Sequence, residues 1–123
     1  MVAVVTDTGL AEIANVMTGS GTPPSHVGAG TGTTAALVTD TTLETEVSTR
    51  GATVDTRTTT STTNDTSQHV GTVSFSSSLA ITEAGLFNAS SSGTMFVRDV
   101  FAAINVGNGD SIQFTFQVQN EQG

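Results

Sequence analysis

Glu83 is the residue with the most informative setting, because it stands in the otherwise apolar run Ile81-Thr82-Glu83-Ala84-Gly85-Leu86. A carboxylate carried into a core by such a run needs a partner, and a bidentate arginine matches its geometry. All three cations of the chain are arginine: Arg50, Arg57 and Arg98. Arg50 or Arg98 could supply the partner, and the chemistry expected is a structural ion pair rather than a general acid.

Other constellations are thin. His26 and His69 are isolated, with no metal-ligand spacing around either, and each reads as a strand-face or loop histidine. A serine nucleophile has no histidine in a recognisable catalytic context to lean on. Asp40, Glu44 and Glu46 could share the face of a short helix, where a favourable dipole at the helix start explains them without catalysis. Gly28-Ala29-Gly30-Thr31-Gly32-Thr33 superficially looks like a phosphate loop. It lacks the dinucleotide spacing, and the chain has no lysine to reach a phosphate. A tight backbone crossing, where side chains would clash, is the better reading. No Asp-x-Asp-x-Asp calcium loop is present. The expectation is therefore no catalytic residues, no cofactor and no metal site. Two glycosylation sequons, at Asn64 and Asn88, fall on expected turns and matter only where a glycosylation machinery is met.

The elements that must position these residues are mostly strands. Thr6, Asp7 and Thr8 offer N-cap oxygens, and Leu10, Ile13, Val16 and Met17 recur at helical spacing, which predicts one helix over 6–17. Gly19 to Pro24 ends it. His26-Val27-Gly28 reads as a short extended piece, and a very short helix is expected at 40–46 from the capping-box spacing of Thr41 and Glu44. The clearest strand is 111–119, where Ile112, Phe114, Phe116 and Val118 alternate with polar residues. Val73, Phe75 and Leu79 alternate in the same way. Residues 89–93 read as a hairpin loop and 106–110 as a second turn. All six phenylalanines lie at or after Phe75, so the expected core is Phe75, Leu86, Phe87, Phe96, Phe101, Ile112, Phe114, Phe116 and Val118.

Between Val54 and Val70 no aliphatic or aromatic residue occurs. A compact domain of this length is about 35 Å across, whereas an unbroken strand over 47–62 would span about 50 Å. The tract 55–69 is therefore expected to bend or project, as an exposed hairpin end turning at Asn64-Asp65. At the other end, the apolar leader Met1 to Val5 would be an aggregation-prone strand if left unpaired. Val2, Val4 and Val5 are expected to be buried by pairing, either within the chain or with a neighbouring subunit.

Length and charge exclude several classes. The 123 residues allow a single domain over 1–123, and the lack of cysteine excludes a disulfide framework. Eleven acidic residues against three basic ones give a net charge of −8, which argues against binding a nucleic-acid backbone. No run approaches the ~18 apolar residues of a membrane helix, and the start is too short and uncharged for a signal peptide. Threonine fills 24 positions and lysine none. At molar salt the Debye length falls to about 3 Å, so an acidic surface without lysine suits a saline habitat. Chance in a small Thr/Ser-rich surface protein is the other explanation.

The order of the pieces carries a resemblance. An N-terminal helix leads to His26-Val27-Gly28-Ala29-Gly30-Thr31-Gly32-Thr33-Thr34-Ala35-Ala36, then to 39–47 and Arg50-Gly51. Ile81 to Ala89 follows, then Gly93-Thr94-Met95-Phe96-Val97-Arg98, Phe101 and Gly109-Asp110. This resembles small virion proteins of tailed bacteriophages and tailed archaeal viruses, described as head-decoration, tail or tail-fibre-like components. The resemblance runs over nearly the whole chain except 55–69. It implies a compact antiparallel β-sandwich, jelly-roll-like, that assembles as rings or trimers. It also implies a non-enzymatic role in the virion, on the capsid surface or tail. Together with the missing lysine, it fits a virus of a salt-loving archaeal host.

The leading expectation is a homo-oligomeric capsid decoration subunit, a trimer or pentamer, bound to the major capsid protein. A tail or baseplate adaptor, bound to tail proteins, is the alternative within virions. A receptor- or glycan-binding module touching the host surface is a different class, and the absence of tryptophan and tyrosine counts against it.

Overall fold

The computed structural model describes residues 2–122 and, of Val2, the backbone alone. Seven strands and one helix follow in the order β1 (Val2–Val5), α1 (Asp7–Met17), β2 (His26–Gly30), β3 (Glu46–Thr58), β4 (Thr66–Ser74), β5 (Leu79–Phe87), β6 (Met95–Val106) and β7 (Ser111–Gln119). All seven strands belong to one antiparallel sheet, ordered β1-β6-β5-β2-β3-β4-β7, which curls into a half-barrel. The sandwich or jelly roll is thus corrected to a single sheet that folds over its own core.

The long strand β3 makes that folding work. Its first half pairs with β2 (Ala52 opposite His26) and its second half with β4 (Thr53 opposite Gly71). The β2–β3 register shifts between Val27 and Ala29, and Ser48 sits at φ 69°, so the strand bends there. Gly51 lies so close to β4 that a Cβ would stand 2.0 Å from the Thr72 carbonyl oxygen. A side chain at 51 would push β3 away from β4.

The inner face holds one apolar core, including Val27, Val73, Phe75, Ile81, Leu86, Phe96 and Phe116. Phe101, Ile112, Phe114 and Val118 pack against it half-buried. Phe87 belongs instead to a small cluster with Leu43 and Met95. Pairing of Phe87 with Met95 and of Gly85 with Arg98 places this cluster on the outer face, because alternate residues point to opposite sides. Val73 and Leu79 lie on successive strands, joined through Phe75 and the serines that follow it.

The helix begins as its sequence directs. Thr6 is the N-cap, its hydroxyl accepting from Gly9 N at 2.9 Å and donating to the Met95 carbonyl. Its apolar stripe, however, is mostly exposed. Ile13 packs on the core, while Leu10 is 57% and Met17 84% exposed. The expected helix at 40–46 does not form. Glu44 N donates to the Glu83 carboxylate and the Glu44 side chain turns to Thr33 and Thr34, so no capping box closes.

The tract 55–69 is a hairpin, mostly exposed over its first arm and turn. Its second arm lies inside the sheet, flanked by β7 along its whole length from Thr66 opposite Gln119 to Ser74 opposite Ser111. Thr66 and His69 are buried, and only residues 59–65 form the turn. The threonine tract hid this because its polar side chains answer one another, Thr66 bonding to Thr60 and Asp65, and His69 to Asp55 and Ser67. The leader pairs within the chain, Val4 opposite Arg98 and Val5 opposite Val97, with both side chains half-buried. The Val2 side chain lies outside the described residues.

Candidate functional site

The outer face of β2, β5 and β6 carries a dense polar arrangement, and it starts from missing side chains. Gly28, Gly30 and Gly85 present bare backbone on that face. A Cβ on Gly30 would stand 2.4 Å from the Thr45 carbonyl oxygen and 2.5 Å from Glu83 Oε2. One on Gly32 would meet Glu83 Oε2 at 2.5 Å. The glycine run is thus a floor over which the loop 31–45 can lie flat.

Glu83, fully buried, fastens that loop. Its Oε2 accepts from Gly32 N (2.8 Å) and Thr45 N (2.7 Å), and its Oε1 from Glu44 N (2.9 Å) and Arg98 Nε (3.0 Å). Four donors saturate the carboxylate, which is how a charge survives inside a protein. Arg98, only 2% exposed, reaches on through Nη1 to Asp40 Oδ2 at 3.0 Å. Thr82 donates its hydroxyl to the Gly32 carbonyl at 2.7 Å, and Thr31 N bonds the Thr45 carbonyl at 3.0 Å. Glu44 accepts from the hydroxyl and backbone N–H of Thr34 and from Thr33 N, and these bonds hold its carboxyl below the usual range.

Arg50 does not meet Glu83. It makes a bidentate pair with Glu46 (2.7 and 3.0 Å), stacks 3.5 Å over the Phe87 ring and donates to the carbonyls of Ala89 and Ser92. The β3 bend points Arg50 toward the loop 89–93, while β6 carries Arg98 next to Glu83. Arg50 therefore clamps the β5–β6 loop and Arg98 clamps the loop 31–45.

Among the described residues no cluster of three His, Cys, Asp or Glu is arranged to hold a metal. The open donor at the site is Arg98 Nη2, buried without a protein partner among the described residues. Arg98 also lines a polar cleft of about 290 Å³ with Thr34, Thr39, Asp40 and Thr42.

A second constellation escaped the sequence reading. His69 Nδ1 lies 2.8 Å from Asp55 Oδ1, and His69 Nε2 lies 3.1 Å from Ser67 Oγ. This is the contact order of a serine–histidine–aspartate relay. Ser67 and His69 are two apart on one strand, but their partner was not legible: a turn at Asn64-Asp65 would set Asp55 opposite Ser74, whereas the hairpin is centred on Thr62 and sets Asp55 opposite His69. A relay also needs room for a carbonyl and donors for its oxyanion. His69 is 6% exposed, too enclosed to receive a substrate carbonyl. The geometry serves as a hydrogen-bonded strut inside the hairpin.

Of the remaining expected residues, His26 has its Nδ1 2.8 Å from Ser25 Oγ. Asn64 stands exposed in the 59–65 turn at φ 60°. Asn88 is fully engaged: its amide nitrogen donates to Glu12 Oε2 and the Thr22 carbonyl, and its Oδ1 accepts from Thr94 N. No known family model, curated protein or solved structure matches the chain.

Proposed function

We propose that this protein is a non-enzymatic structural component of a tailed virus particle, a homo-oligomeric decoration subunit on the head surface. The observation that carries the reading is the locked loop on the glycine floor. The segments behind the resemblance, at 26–36, 39–47, 81–89 and 93–98, meet there. Their charged groups bond to one another rather than face a substrate. Glu83 has four donors and Arg50 four acceptor contacts, so the polar density holds backbone in place. A subunit that must keep its shape on a particle needs such fastening.

Exposed apolar side chains supply surface for neighbours. Leu37 and Val38 lie 55% and 51% exposed, and the Val38 carbonyl bonds Asp7 N at the start of α1, the helix that carries exposed Leu10. The test is electron cryo-microscopy of virions containing this chain. Density on the head surface is expected. Density confined to the tail moves the protein to the adaptor role, and absence from the particle overturns the virion reading.

A further inference from the structure

The last strand has two properties that together assign it a partner. In the strand order β7 stands at one end of the sheet, so one of its edges has no strand beside it among the described residues. Its pairing with β4 runs without a register shift over nine residues, and it contains no charge, no proline and no bulge. Natural edge strands ordinarily carry at least one of these devices against pairing with another chain. On a chain of net charge −8, nine uncharged residues in a row let a second copy approach this edge without like charges directly opposed.

The sequence of the strand, Ser-Ile-Gln-Phe-Thr-Phe-Gln-Val-Gln, reads nearly the same in both directions about Thr115. An antiparallel pair about a twofold axis at Thr115 would set Ile112 opposite Val118, Gln113 opposite Gln117 and Phe114 opposite Phe116 of the second copy. Any residue-centred axis keeps inner residues facing inner ones. The axis at Thr115 alone pairs all nine residues while matching phenylalanine with phenylalanine and amide with amide. The flanks agree as well, since Asp110 would fall opposite Asn120 and Glu121 opposite Gly109, leaving no like-charge pair. Alongside the strand runs an apolar groove of about 580 Å³, walled by Phe101 and Ile104 of β6 and by Phe114 of β7. The groove's carboxylate, Asp99, stands on the β6 wall, in register with Ala84 of β5.

We propose that β7 is a homodimerisation edge, where two copies of this chain join their sheets antiparallel across a twofold axis at Thr115. Such an isologous contact closes on itself. It goes beyond the virion reading and does not depend on it.

Thr115 is exposed, so charge can be placed on the axis without disturbing the core. Sedimentation or light scattering of the purified chain should give twice the monomer mass. Thr115→Glu and Thr115→Lys each set two like charges face to face and should weaken self-association roughly tenfold or more. Far-UV circular dichroism should match the parent for both. Mixing the two variants in equal amounts should restore the dimer, because the axis then carries opposite charges. If one variant fails to fold, the other against the parent still reads the effect. A monomer at every concentration, open-ended fibres, or dimers that ignore both substitutions would overturn the proposal. A trimer or pentamer would overturn it too, while leaving the virion reading standing.

Discussion

Two turns of this molecule are fastened by the same device and differ in what the device holds. On the outer face Glu83 accepts three backbone N–H groups, from Gly32, Glu44 and Thr45, together with Arg98. In the threonine hairpin Asp65 accepts three more, from Thr60, Ser61 and Thr62, together with the Thr66 hydroxyl and the Gln119 amide. Glu83 reaches 38 to 51 residues along the chain for its backbone donors, whereas Asp65 reaches 3 to 5. Glu83 is wholly buried among glycines, while Asp65 sits near the surface. The same chemistry therefore holds a fold together in one place and shapes a turn in the other.

The comparison breaks most visibly at Glu83. Glu83→Ala leaves Arg98 buried beside three unanswered N–H groups, and removing one partner of a buried pair costs about 3–5 kcal/mol. Chemical denaturation should show that loss; a melting temperature equal to the parent's would show that the loop is held by something else. Next comes Gly30→Ala. Its Cβ must displace the Thr45 carbonyl and the Glu83 carboxylate, and such overpacking costs about 1–3 kcal/mol. Gly19→Ala, where no atom lies within 4 Å, separates this clash from strain, because Gly19 has a positive φ and Gly30 does not. A Gly30 variant no worse than the Gly19 one would argue against the floor.

At Asp65 the effect should stay local. Asp65→Ala should speed hydrogen exchange at the amides of Thr60, Ser61 and Thr62 while the β5 amides keep their protection. Slowed exchange in β5 relative to nothing else is not expected, and faster exchange there would mean the tip is coupled to the core. Titration sharpens the contrast. The N–H groups of Thr62, Thr60 and Ser61 hold the Asp65 carboxyl well below the usual carboxylate range. Since the folded value lies below the unfolded one of about 3.9, the stabilisation is complete above that pH and is lost as the pH falls below it. Protection at 60–62 should therefore be flat from neutrality to about pH 4 and decline in stronger acid. A decline that begins near neutrality would assign the turn to another group.

Much of the local structure was legible. The Thr6 cap, the strand at 111–119 and the turns at 89–93 and, but for Val106, which ends β6, at 106–110 follow from short-range chemistry, and Gly93 and Gly109 adopt the positive φ that such turns need. The setting of Glu83 in an apolar run was enough to demand a partner. Its choice between Arg50 and Arg98 was not legible, because that depends on the strand beside β5 and on the bend in β3. Nor could the spacing of Leu10, Val16 and Met17 show that this face of the helix looks outward; periodicity reports a stripe and not what covers it.

By itself the sequence determined a β-rich, acidic, cysteine-free chain, where alternation assigns the last strand its inner face and glycines mark close approaches. Those properties act over a few residues, through side-chain period and backbone sterics. Only the tertiary structure decided that the strands form one curled sheet rather than two, that Arg98 and not Arg50 answers Glu83, and that the threonine tract lies within the sheet. Each of these depends on which strands become neighbours. Neighbourhood is set by the summed burial of the whole chain, to which no short segment holds the answer.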